Sequence, residues 1–146
     1  IKVVLTYQLD TSTNDNQEST KLDLHNKWIL LVEDNEINME VAEFYLNAVQ
    51  ANVDKAWNGL EAVEKIKEQP NKYSVIFMDI MMPYLDGWEA TRIIRALLRK
   101  DAKKVTILAM SANAFSDDIQ KSYSIGMSGH IVKPVSLDSI KKLYLI

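Results

Sequence analysis

The run Tyr73-Ser-Val-Ile-Phe-Met-Asp79-Ile-Met-Met-Pro83 constrains this chain more than any other stretch. Val75, Ile76, Phe77 and Met78 are consecutive apolar strand formers without alternation, the pattern of a strand buried on both faces of a parallel sheet. Asp79 follows directly, where that strand should end. In open parallel sheets the carboxyl ends of the strands are where ligands and chemistry collect. Pro83 and the Asp86-Gly87 pair then break the chain into a loop before Trp88 opens a helical pattern, so Asp79 is expected on a rigid edge beside an open crevice. It reads as a nucleophile that becomes phosphorylated, against the plainer reading of a turn acid.

From Trp28 onward strand-like and helix-like segments alternate. Trp28 to Val32 is an apolar run ending in Glu33-Asp34-Asn35, after which Ile37, Val41, Phe44, Tyr45 and Ala48 recur at helical spacing, with Asp34 or Asn35 suited to capping. Val53 to Trp57 predicts a second strand, and Leu60, Val63 and Ile66 mark a helix stopped by Pro70. After the central strand, Ala90, Ile93, Ile94, Leu97 and Leu98 predict a helix, and Val105 to Met110 a strand. Phe115, Ile119 and Tyr123 mark a fourth helix ended by Gly126, and His130 to Val132 a last short strand. Leu137, Ile140 and Leu143 predict a fifth helix running to the chain end. Five strands each followed by a helix give a doubly wound α/β sandwich with all strand C-termini on one edge.

The first ten residues alternate, Ile1, Val3, Leu5, Tyr7 and Leu9 on one side, and read either as a strand with one buried face or as a disordered tail. Residues 11–20 carry no large apolar side chain, and 11–27 read as a polar linker. The opening on Ile1 leads us to expect a segment of a longer protein. A net charge of −3 and a pI near 5.4 argue against a nucleic-acid or anionic-membrane surface. With no cysteine, thiolate chemistry and Cys-based metal sites are excluded, and two distant histidines, His25 and His130, argue against a His-rich metal site. No apolar run approaches the roughly 20 residues that span a bilayer, and a cytoplasmic location is the expectation.

That topology gathers Glu33-Asp34, Asp79, Ser111 and Lys133 at the ends of strands one, three, four and five of the sandwich. Two like charges about 4 Å apart cost on the order of 4 kcal/mol at an effective dielectric near 20, so something positive must sit among the three acids. Carboxylate oxygens alone suit Mg²⁺. Phosphate is then the natural missing ligand, Lys133 the available cation, and the Ser111 hydroxyl a donor to a phosphoryl oxygen.

Ile29-Leu-Leu-Val-Glu-Asp-Asn-Glu-Ile-Asn38, Met78-Asp-Ile-Met-Met-Pro83 with Asp86-Gly87, Ala109-Met-Ser-Ala-Asn-Ala-Phe115 and Val132-Lys-Pro134 together resemble a two-component receiver domain, of the kind fused to hybrid sensor histidine kinases. The resemblance covers residues 28–146 and implies a flavodoxin-like (βα)5 three-layer sandwich. It implies that Asp79 accepts phosphate from a phosphohistidine on a histidine kinase or histidine phosphotransfer domain. Asp34 would bind Mg²⁺ directly, Glu33 mainly through a water, and the backbone carbonyl of Met81 would be a further ligand. Lys133 would pair with Asp79 and then with its phosphate, and Ser111 would swing toward that phosphate as the switch. Residues 1–10 would be the last strand of an upstream kinase ATP-binding domain, and the assembly a monomer or weak dimer. The receiver pattern usually has Tyr or Phe three residues before the lysine. Here that place holds His130, whose reference pKa near 6.5 makes the switch open to pH.

Two other classes are separable by residues. A phosphatase with a strand-end Asp nucleophile needs a second acid two residues on, where this chain has Met81. A nucleotide-binding relative needs a phosphate-cradling loop after the first strand, where Glu33-Asp34 repel phosphate unless a metal intervenes.

Overall fold

A computed structural model describes residues 3–5, 20–21, 23–112 and 116–145. The expectations for 6–19 and for Phe115 lie outside them. Its main sheet holds five parallel strands, β3 (Trp28–Val32), β4 (Asn52–Ala56), β5 (Val75–Asp79), β6 (Thr106–Ser111) and β7 (Gly129–Val132), in the order β4-β3-β5-β6-β7. The order reverses direction between β3 and β5, and that switch point is where a crevice opens beyond the strand ends.

The unalternating apolar runs follow from burial on both faces. Leu30, Val32, Ile76 and Met78 pack in one layer with Ala62, Val63 and Ile66 of α2 (Gly59–Glu68) and Ala90 and Ile94 of α3 (Gly87–Ala96). Their neighbours Ile29, Leu31, Val75 and Phe77 point the other way, onto Met39, Ala42 and Leu46 of α1 (Glu36–Ala48) and Ile140 of α6 (Leu137–Lys141). Each such fully buried side chain contributes about 1.5–3 kcal/mol relative to exposure. Leu24 joins the second layer, so the packed core reaches back into the stretch read as linker.

Three expectations are corrected. In α1 the helix is where periodicity places it, but the core face is Met39, Ala42 and Leu46, while Ile37 is 70% and Phe44 66% exposed. The sequence offers two apolar stripes, and it is the Met39, Ala42 and Leu46 stripe that meets the sheet, with Tyr45 packed at its edge. The helix over Ala90 to Leu98 stops at Ala96. Leu97 is extended and Leu98 exposed, because Arg99 turns back to donate to Ile66 O and Lys67 O at the end of α2. A separate short helix α4 (Lys100–Lys104) follows.

The third concerns the C-terminus, where α6 ends at Lys141 and Leu143–Leu145 forms strand β8 instead of more helix. It pairs antiparallel with β1 (Val3–Leu5) in the register Val3↔Leu145 and Leu5↔Leu143, and on its other edge with β2 (Thr20–Lys21). A five-residue helix gains little from cooperativity, and Leu-Tyr-Leu with a backbone partner on both edges favours a strand. The fourth helix, α5 (Ser116–Ile125), ends as expected at Gly126, whose φ of +118° favours glycine.

Candidate functional site

The acids reach one place because their strands end side by side. Parallel pairing sets Val32 beside Met78, so Glu33 and Asp34 leave β3 next to Asp79 at the end of β5. One oxygen from each of Glu33, Asp34 and Asp79 lies within 4.8 Å of the others. Glu33 and Asp79 are 2% and 1% exposed, while Asp34 is open to solvent. Glu33 Oε2 accepts from the Asn35 amide at 3.1 Å, and Asn35 caps α1 by accepting from Asn38 N–H. The turn that starts α1 thereby fixes the buried acid.

Lys133 supplies the positive charge. Its Nζ lies 3.2 Å from Asp79 Oδ1 and 3.3 Å from Glu33 Oε1. Its backbone N–H donates to Ser111 O at 2.7 Å, and a cis bond joins it to Pro134 at the end of β7. Pairing with Asp79 is the expected contact; the bridge to Glu33 is one the sequence did not announce. Burial alone would lower the Lys133 pKa, but Asp79 and Glu33 together outweigh it and raise it. Burial first, then the Glu33 charge, push Asp79 up to about 7 against the pull of Lys133.

Asp79 Oδ1 also accepts from the Met81 amide at 3.3 Å, whereas Oδ2 is buried with no hydrogen-bond partner. A buried carboxylate oxygen left unpaired is costly, and its position among two further acids fits a hard cation held by oxygen ligands. The loop after Asp79 folds tightly over the strand end. Gly87 N–H donates to Ile80 O at 2.9 Å, and a Cβ at Gly87 would run into the Asp79 carbonyl oxygen. Asp86-Gly87 breaks the chain into a loop and belongs to the receiver-like motif; Gly87 is in addition required by this close approach. Asp86 caps α3 through Glu89 N–H.

Ser111 ends β6 as expected, and its hydroxyl lies 2.9 Å from His130 Nε2, both side chains buried. Burial lowers the His130 pKa, and Asp118 offsets this in part. His25 stays outside the site and exposed, its amide donating to Asp23. Trp28 and Trp88 carry an ammonium over their rings, Lys72 at 4.2 Å and Lys121 at 4.0 Å, a contact not anticipated.

A family profile described as the response regulator receiver domain matches residues 29–144. A rice protein (Oryza sativa subsp. indica) named Probable histidine kinase 1 is 34% identical over 143 residues, covering 78% of this chain and 15% of the relative. The chain thus spans a small part of that relative's length. The receiver domain of sensor histidine kinase PA1611 from Pseudomonas aeruginosa, solved with a magnesium ion in its active site cleft, superposes with a TM-score of 0.68. It is 37% identical and covers 77% of this chain and 88% of that one. A chain from the co-crystal structure of the Saccharomyces cerevisiae phosphotransfer protein Ypd1 with the receiver domain of Ssk1 is 32% identical. It has a TM-score of 0.69 and covers 78% and 83% of the two chains. Sequence, strand order and the clustered acids agree, and the chain belongs to the response regulator receiver domain family, a module of two-component phosphorelay signalling.

Proposed function

We propose that Asp79 is the phosphoryl acceptor of this receiver and that the donor is a phosphohistidine on a histidine kinase or histidine phosphotransfer domain. The observation that carries this is the state of the Asp79 carboxylate. One oxygen is fixed by Lys133 and the Met81 amide, the other is buried without a partner, and Glu33 and Asp34 crowd the same spot. In the reaction an Asp79 oxygen forms a bond to phosphorus as the phosphorus–nitrogen bond to the donor imidazole breaks, and the imidazole leaves with a proton from solvent.

Asp34, Asp79 and the Met81 carbonyl would hold Mg²⁺, with Glu33 acting through a water, and that ion would neutralise charge building on the phosphoryl oxygens. Lys133 stays near Asp79 and moves its ammonium from carboxylate to phosphoryl oxygen. Glu33 keeps it from leaving. The Ser111 hydroxyl donates to the new phosphoryl group, which takes it from His130 and frees the ring to change rotamer. A charge of roughly −2 added at Asp79 is thereby turned into a rearrangement at β6 and β7.

Donor docking is supported by the apolar side chains on the segments leaving the site: Ile37, Met81 at 72% exposed and Tyr84 at 87%. The parent would be a hybrid sensor histidine kinase. The receiver would work in the cytoplasm as a monomer or weak dimer; among the described residues no helix is long and apolar enough to cross a membrane. The test is incubation with a phosphorylated histidine phosphotransfer domain. Label is expected to move to this chain and to be absent in Asp79→Asn. Label retained by that variant would overturn the assignment.

A further inference from the structure

At the opposite edge of the sheet a half-buried cation has no carboxylate partner among the described residues. Arg95, in the last turn of α3, donates from Nε to Gly126 O at 2.9 Å, from Nη1 to Ala102 O at 3.0 Å and from Nη2 to Ser128 Oγ at 3.5 Å. All three acceptors are neutral. Arg92 and Arg99 each hold a carboxylate, Glu89 and Asp101, whereas Arg95 has none among the described residues. Partial burial pushes its pKa down.

The guanidinium forms part of the wall of an open groove of ≈ 990 Å³ between the end of α3, α4, the end of α5 and the start of β7. Lys103 and Lys104 also line it, and among the described residues no Asp or Glu does. Lys103 is placed by a bond from Nζ to Arg95 O at 3.1 Å. Three clustered cations run against the −3 charge of the chain as a whole. Tyr123, 38% exposed, adds an aromatic wall.

We propose that this groove is an anion site that takes a nucleoside phosphate, its phosphates on Lys103, Lys104 and Arg95 and its ring against Tyr123. Multiply charged phosphate suits the geometry. The Arg95 fork is spent largely on carbonyls, so the wall offers point charges, which bind phosphate better than they orient a planar carboxylate. The groove exceeds what inorganic phosphate fills and falls at the upper end of small-ligand sites. It lies at the amino ends of the strands, whereas Asp79 lies at a carboxyl end, so occupancy does not depend on phosphoryl transfer.

The test is NMR titration of the ¹⁵N-labelled chain with ATP, tripolyphosphate and adenosine, in EDTA without Mg²⁺. ATP is expected to saturate shifts at Arg95, Lys103, Lys104 and residues 123–128, with tripolyphosphate weaker and adenosine weakest. The Lys103→Ala/Lys104→Ala double variant should weaken ATP binding about tenfold with an unchanged circular dichroism spectrum. Lys100→Ala, on the same helix but outside the groove, should leave it unchanged. Equal affinity in the double variant, or shifts that never saturate, would overturn the site. Tripolyphosphate binding as tightly as ATP would overturn the nucleoside assignment.

Discussion

The Ser111 hydroxyl and His130 Nε2 lie 2.9 Å apart inside the protein, joining the end of β6 to β7. Burial favours the neutral ring, with Ser111 hydrogen-bonded to Nε2 and Asp118 the facing acid that opposes the shift. Because the folded-state pKa is lowered, the unfolded chain binds the proton more readily, and the His130 contribution to stability falls as pH drops below about 6.5, opposite in sign to that of Asp79, whose raised pKa favours the folded state over the same range. Chemical denaturation between pH 5 and pH 8 should show this loss as a difference, the wild type losing stability relative to His130→Asn as pH falls, since Asp79 titrates in both. Parallel profiles would contradict it.

Lys133 and Asp79 should shift stability in opposite directions. Lys133→Met leaves two buried carboxylates without their cation and is expected to cost about 2–3 kcal/mol. Asp79→Asn removes one of three crowded acids while Lys133 keeps Glu33. Without divalent cations at pH 8 it is expected to stabilise by about 1–2 kcal/mol, a fraction of the repulsion of two charges at this separation. Urea midpoints decide both signs.

Much of this arrangement is legible in the residues and part is not. Runs buried on both faces, Ile29 to Val32 and Val75 to Met78, cannot be mistaken for half-exposed strands, and the acids that end them mark the edge where the carboxylates cluster. The α1 face was misread because Ile37 and Phe44 form as good a helical stripe as Met39, Ala42 and Leu46. Only the position of the sheet chooses between them. Strand β8 was missed since Leu143 continues the helical spacing of Leu137 and Ile140, while its partners β1 and β2 lie over a hundred residues away in sequence. The Glu33–Lys133 bridge was hidden for the same reason, spanning the whole domain.

Tyr84 separates docking from stability. It holds φ of +70° in a tight turn in which Leu85 N–H bonds Pro83 O at 2.8 Å, and its ring projects into solvent. Glycine relieves a left-handed backbone at the cost of the ring. Tyr84→Gly should therefore be more stable by about 1 kcal/mol, react normally with acetyl phosphate, and accept phosphoryl from a phosphotransfer domain about tenfold more slowly. Unchanged transfer would remove Tyr84 from the docking surface.

Gly87 sets the loop that covers Asp79. Since a Cβ there meets backbone oxygen, which does not yield as a flexible side chain does, Gly87→Ala should destabilise by about 2 kcal/mol or more. A thermal melt matching the wild type would show that the loop has room the structure lacks.

The most direct test of the central claim is intact mass spectrometry after incubation with acetyl phosphate and Mg²⁺. A single phosphoryl adduct is expected on the wild type, absent from Asp79→Asn and abolished by EDTA. An adduct that survives the Asp79→Asn substitution, or no adduct with any phosphoryl donor, would contradict Asp79 as the acceptor.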